Sequence, residues 1–180
     1  MKGIVFVKFN EFIEEVWGDE FWDELLSEAN LASEGVYTTV ATYDDEELFT
    51  LVGLVVVKKG ISAKDAQFAF GKWVFKELYN LAPPGAHDFK DVFEFLHAVQ
   101  DFIHVEVKKL NPDALLPEFE FLSETSNVLT FKYLSPRKLC YFCEGIIHGL
   151  AEHTGQDIKV SQPECEHEAG EQCVIEVEKV

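Results

Sequence analysis

Asn127-Val128-Leu129-Thr130-Phe131-Lys132-Tyr133-Leu134-Ser135-Pro136-Arg137 alternates apolar and polar side chains and then breaks at a proline. Alternation of period two marks a half-buried strand, so Leu129, Phe131 and Tyr133 share one face. After the break, an amphipathic run from Pro136 to about His153 reads as a helix, ended by Gly155. Tyr133, Ser135 and Arg137 thus stand at alternate positions at a strand-to-helix junction. A phenol, a hydroxyl and a guanidinium there clamp carboxylates or phosphates, and a helix starting at Pro136 adds its free N–H groups. Taken alone, the same residues also read as an ordinary helix start, with Ser135 as N-cap, Pro136 at N1, Tyr133 in the core and Arg137 in solvent.

Working outward, Glu118 to Leu122 alternates too and forms a hairpin with Val128 to Tyr133 through a turn at Ser123 to Asn127. Beyond Gly155, strands are expected at Asp157 to Ser161 and Cys173 to Val180. Strand, strand, helix, strand, strand predicts a four-stranded antiparallel sheet with a covering helix. Upstream the pattern is helical. Phe6, Phe9, Ile13 and Val16 recur at helical spacing up to Gly18, and Asp19 opens a second helix with Phe21, Trp22, Leu25 and Leu26. An extended piece follows at Val36 to Thr42. Asp44 with Glu47, and Ser62 with Asp65, have capping-box spacing, and Pro83-Pro84-Gly85 breaks the chain. A long helix then runs from Asp88 to about Leu110, and the character changes at Asn111-Pro112. The fold class is α+β in a single domain: a helical subdomain over about residues 1–85, then the long helix and the sheet over about residues 86–180.

The long helix carries Phe89, Val92, Phe93, Leu96, Val99, Ile103 and Val107 on one apolar face. At about one hundred degrees per residue, His104 falls on the margin of that arc, beside Phe93 and His97. A histidine late in a long helix, with Tyr133-x-Ser135-x-Arg137 about thirty residues on and an opening Met1-Lys2-Gly3, resembles the haem nitric oxide/oxygen binding (H-NOX) family over essentially the whole chain.

That resemblance implies haem b, buried between the helical and sheet parts, with His104 as axial ligand to iron and Tyr133, Ser135 and Arg137 holding the propionates. It matches Pro117 to a proline that presses on the haem. Family members that hold oxygen place a distal tyrosine at the position of Phe142 here; the neighbouring Tyr141 should face elsewhere. The other matching distal positions are Val5, Phe9, Val74 and Ile146, all apolar. The resemblance therefore implies a sensor that binds nitric oxide and carbon monoxide without a stable oxygen complex, and a separate histidine kinase or cyclic-di-nucleotide enzyme as partner.

Sixteen Phe and three Trp against a single Met suit a planar ligand's lining. A formal charge of −18, from 33 acidic and 15 basic residues, argues against nucleic acid and anionic membranes and favours a partner with a basic face. No apolar stretch reaches spanning length and no signal-peptide pattern appears, so the expected location is the cytoplasm, where thiols stay reduced. There is no Ser/His/Asp set at recognisable spacing, no P-loop and no Rossmann pattern, and the protein reads as a non-enzyme.

Cys140 and Cys143 lie one turn apart, and Cys165-Glu166-His167 precedes Cys173. Several thiolates and an imidazole could meet if the sheet folds back on the helix, and zinc accepts that set; Cys140 and Cys143 equally suit a core. Similar bacterial family members carry such a zinc site. Cys140, Cys165 and Cys173 match its thiolates, while Gln162 stands where its histidine would, leaving His167 or Cys143 as the fourth ligand. The rival to the haem reading is a haem-free zinc and thiol redox adaptor on the same fold.

Overall fold

The computed structural model describes residues 1–180 and forms two compact units, Met1–Phe70 and Gly71–Val180. In the first, α1 (Gly3–Trp17), α2 (Asp19–Glu28), α3 (Asp45–Lys59) and the start of α4 (Ala63–Asn80) follow the apolar stripes and caps of the sequence. Phe6, Phe9 and Ile13 are buried on α1, and Gly18 ends it at φ +90°, where a side chain would be strained. Asp44 caps α3 by accepting the Glu46 N–H, and left-handed Gly60 closes it.

Val36 to Thr42 is not the expected extended strand: apart from one isolated bridge between Lys2 and Thr42 it is loop. Its polar groups find side-chain partners in place of a ladder. The Tyr37 hydroxyl donates to the buried Glu47 carboxylate at 2.8 Å, the Thr38 N–H donates to the Tyr43 hydroxyl at 2.9 Å, and Ser33 also donates to Glu47. Tyr37 stacks on Phe6 at 4.4 Å. Aromatic packing overrides the local β preference.

The second unit holds the sheet, with strand order β1-β2-β4-β3 and every pair antiparallel. Its strands are β1 (Glu118–Glu124), β2 (Val128–Leu134), β3 (Ile158–Glu164) and β4 (Cys173–Lys179). Leu129, Phe131, Ile175 and Val177 face one way and are fully buried, with Ile147 and Leu150 of α7 (Cys140–Thr154) over them. α7 starts at Cys140 and not at Pro136. Lys138 adopts a left-handed φ of +51°, incompatible with a helix interior, and Ser135 to Leu139 forms a turn closed by the Lys138 N–H on the Ser135 carbonyl at 3.1 Å.

The long helix also differs from expectation. Asp88, its expected first residue, ends a separate 3-10 turn, Ala86–Asp88, and α5 (Val92–Ala98) starts only at Val92, where Asp91 accepts the N–H groups of Phe93 and Glu94. A π-helical turn, Val99–Ile103, then separates α5 from α6 (His104–Leu110). Within this unit α4 and α7 cross closely: a Cβ on Gly71 would lie 2.2 Å from the Phe142 carbonyl oxygen, and one on Gly149 would lie 2.6 Å from the Phe75 Cβ.

Asp91 ties three segments together, since its second oxygen accepts from Gln156 Nε2 at 2.9 Å and Lys179 Nζ at 2.6 Å. Burial alone would raise its carboxyl, but the Lys179 and Gln156 hydrogen bonds and the two helix N–H groups overcome that and hold it at about 2. A depressed carboxyl contributes stability above its unfolded value and loses it as pH falls through the folded one. Asp91→Ala is expected to cost about 1–3 kcal/mol in urea denaturation at neutral pH. Asp91→Asn should lose less stability than the native chain between about pH 4 and about pH 2.

Candidate functional site

His104 owes its direction to the π turn. In an unbroken α-helix from Val92, residues 92, 96, 99 and 103 share a face and 104 falls about one hundred degrees off it. Here the His104 N–H reaches back five residues to the Val99 carbonyl, so the turn holds one residue more than an α turn. Each later residue takes the angular place of its predecessor. His104 therefore occupies the place of Ile103 on the apolar face, not the margin that the uninterrupted pattern predicts. Its imidazole lies edge-on to Phe119 with ring centroids 5.9 Å apart. Burial lowers the imidazole to about 4, so it is neutral at physiological pH, and its Nδ1 is buried without a hydrogen-bond partner.

Phe119 pairs across the hairpin with Tyr133, their rings 6.2 Å apart, and so neighbours both the imidazole and the phenol. Tyr133 is buried; that burial pushes its phenol up, against which the Ser135 hydroxyl and the Arg137 charge act. The Arg137 N–H donates to Ser135 Oγ at 3.3 Å, and its guanidinium donates to the Leu115 carbonyl at 2.5 Å. The strip Leu115 to Phe119, with Pro117 at its middle, thus touches Arg137 at one end and His104 at the other. Tyr133, Ser135 and Arg137 converge by virtue of the turn, not of a helix N-terminus.

Val74 on α4 is buried, and Phe142 and Ile146 on α7 are half-buried around the Gly71 crossing. Phe142 offers no hydroxyl. Tyr141 faces elsewhere, stacked on His167 at 5.3 Å and donating to Glu168 at 3.0 Å. In the first unit Phe9 is buried, its ring 5.1 Å from Phe70 and 6.4 Å from Trp22, and Val5 is half-buried on the same helix. A haem needs a neutral imidazole for iron and donors for two carboxylates, and His104 with Tyr133, Ser135 and Arg137 fit both needs. Two contributors had no reading at the level of sequence. Gly71 was visible only as a glycine inside a helical pattern, and the π turn left no compositional trace.

At the start of α7 the Sγ atoms of Cys140, Cys165 and Cys173 all lie within 4.8 Å of one another, buried, with Cys140 and Cys165 3.6 Å apart. A tetrahedral zinc with bonds of about 2.3 Å spaces its sulfurs about 3.8 Å apart, so the trio fits the ion. The structure does not bring His167 or Cys143 into that group. His167 is exposed with Nε2 on the Lys138 carbonyl at 2.6 Å, and Cys143 is buried apart from the trio. Gln162 donates to Glu144 at 2.7 Å, leaving its own Oε1 buried without a partner, while Glu166 places a carboxylate oxygen 3.9 Å from Cys173 Sγ.

Comparison with known proteins gives one consistent result. The family described as Haem-NO-binding matches residues 2–162. The chain resembles the Fe(II) unliganded H-NOX protein from K. algicida (29% identity, 100% of this chain and 97% of that one, TM-score 0.92). It resembles equally the H-NOX protein from S. oneidensis in the Fe(II)NO state (30% identity, 100% and 99% covered, TM-score 0.92). The IWP-051-bound H-NOX from Shewanella woodyi in the Fe(II)CO state is 34% identical, with 100% and 95% covered and a TM-score of 0.84. No curated protein matches the chain.

The Gly71 crossing can be checked without any ligand. Gly71→Ala must push the α7 backbone aside and is expected to cost about 1–3 kcal/mol in chemical denaturation. Gly53→Ala, where a Cβ meets nothing within 4 Å, should instead gain about 0.5–1 kcal/mol from helix propensity.

Proposed function

Because the chain belongs to the haem-NO-binding, or H-NOX, family, a family of gas-sensing haem domains, we propose that it is a haem-based nitric oxide sensor that regulates a separate signalling enzyme. The observation that carries this reading is the neutral, half-buried His104 imidazole against Phe119, with Tyr133 against the same ring and Ser135 and Arg137 beside that phenol. Bound haem would supply a ferrous iron that takes a diatomic gas. His104 would hold that iron with a lone pair that burial keeps unprotonated, and Tyr133, Ser135 and Arg137 would donate to the propionates.

Selectivity follows from what the other side chains lack. Val5, Phe9, Val74, Phe142 and Ile146 carry no hydrogen-bond donor, so dioxygen, which polarises on binding, would find no partner, while nitric oxide and carbon monoxide depend far less on one. Output would run through α6. None of its side chains is buried, so release of His104 leaves little to hold the helix in place. The resemblance supports a histidine kinase or a cyclic-di-nucleotide enzyme as partner, and the charge of −18 suits one with a basic docking face. No helix is long and apolar enough to cross a membrane; a cytoplasmic setting fits the four free cysteines.

Family membership favours this reading over a haem-free thiol adaptor. What remains of the rival is a second site: the Cys140, Cys165 and Cys173 trio supports a structural zinc beside the sensor, and metal analysis of the purified protein would detect it.

The reading is tested by absorption spectra of the ferrous protein. Nitric oxide and carbon monoxide should each shift the Soret band, and air should yield no lasting oxygenated spectrum; a stable one would refute the proposed selectivity. His104→Gly should lose haem unless imidazole is added. The rescued variant should no longer change its effect on a partner enzyme when nitric oxide is supplied.

A further inference from the structure

The segment that carries His104 has no core of its own. None of Val99–Ile103 is buried, none of His104–Leu110 is, and Val105 and Leu110 are among the exposed large apolar side chains. Val99 and Ile103 are only partly buried against the core, so no fully buried side chain fixes the choice between a π turn and an ordinary α turn. The choice nevertheless sets the register of α6 by one residue and its rotation by about one hundred degrees. Isolated π turns are rare, so a contact outside the helix selects this one.

Gln100, the second residue of the turn, makes such a contact. Its Oε1 accepts the Phe119 backbone N–H at 2.9 Å. The ring of the same Phe119 faces the His104 imidazole. Backbone and ring of one β1 residue thus hold both ends of the turn, Gln100 near its start and His104 just past its end. The His104 N–H on the Val99 carbonyl closes the loop.

Resting on the haem reading above, we propose that Gln100 is a positioning residue: by taking the Phe119 N–H it keeps the π turn open and fixes the register at which α6 presents His104 to haem iron. Without that acceptor the turn closes to an α turn and His104 swings off the apolar face, and no buried side chain of α6 opposes the rotation. A carboxylate at position 100 keeps an acceptor for the N–H, whereas leucine fills a similar space without one.

The experiment compares the native protein with Gln100→Glu and Gln100→Leu, each loaded with ferrous haem. Resonance Raman reads the iron–histidine stretching band, and transfer to excess apomyoglobin reads haem loss. Gln100→Leu is expected to shift or split the band and to speed haem loss about five- to tenfold, the equivalent of one hydrogen bond. Gln100→Glu should restore both to within about twofold of the native protein, and the thermal midpoints of all three without haem should agree closely, which a merely structural role would not give. An unchanged band and loss rate in Gln100→Leu, or equal damage in both variants, overturns the proposal. If the native protein takes up no haem at all, the haem reading fails. Amide exchange still decides the contact then: a Phe119 N–H slow in the native chain and Gln100→Glu but fast in Gln100→Leu upholds it, and equal rates in all three remove it.

Discussion

The second unit depends on one residue of register. A helix that ran as α from Val92 to Leu110 would present Ile103 to β1 and leave His104 at the edge. The extra residue in Val99–Ile103 turns His104 into that place, its imidazole against Phe119, while Ile103 stays partly buried against the same core. That exchange costs desolvation, visible as the lowered imidazole and the unpartnered Nδ1. A buried polar atom without a partner is expensive, and no gain in packing is evident to compensate for it. Such an atom is better explained by a ligand for the ring than by stability.

The same logic applies to the donors. Burying the Tyr133 phenol and gathering a hydroxyl and a guanidinium near Leu115 to Phe119 adds little to a core that Phe131, Leu129, Ile175 and Val177 already fill. The Ser135 to Leu139 turn, with Lys138 in a left-handed conformation, replaces a helical start that the sequence otherwise encodes well. It also puts the Arg137 guanidinium on the strip leading to Pro117 and Phe119. Both departures from local preference, the π turn and this one, flank the same strip, so two independent irregularities point to one region of the unit.

Much of this was legible in the residues. The strands could be read because the sheet buries one face, so Leu129, Phe131 and Tyr133 alternate with polar partners, and the helical half could be read from its stripes and capping boxes. His104, Tyr133, Ser135 and Arg137 stood out by type and by family pattern, and the fold brings them to one strip, Leu115 to Phe119. The register of the histidine was not, because a shift in which carbonyl an N–H chooses leaves no compositional mark. The start of α7 was misplaced because Ser135-Pro136 satisfies the rules for a helix start, while the left-handed Lys138 that prevents one has no signature in a lysine. Val36 to Thr42 looked extended because its residues favour strands; the partners that claim it, Glu47 and Phe6, are distant in sequence. Among the cysteines, the family pattern singled out Cys140, Cys165 and Cys173, which the fold brings together, but only the fold left His167 and Cys143 outside that group.

Mechanical contrast within the second unit gives the arrangement its direction. α4 and α7 meet with no room for a single methyl group at Gly71 or Gly149, and contacts that close resist sliding because every displacement meets backbone. α6 lies at the opposite extreme, with exposed Val105 and Leu110 and nothing buried. Segments with few buried contacts open at low free energy, and tightly packed ones open only with the whole domain. Within this unit α6 and the Asn111 to Leu115 segment after it are thus the parts that yield first, because the α4–α7 side cannot. The weak element also presents two large apolar side chains, Val105 and Leu110, to solvent, so little of its apolar surface resists a change of place.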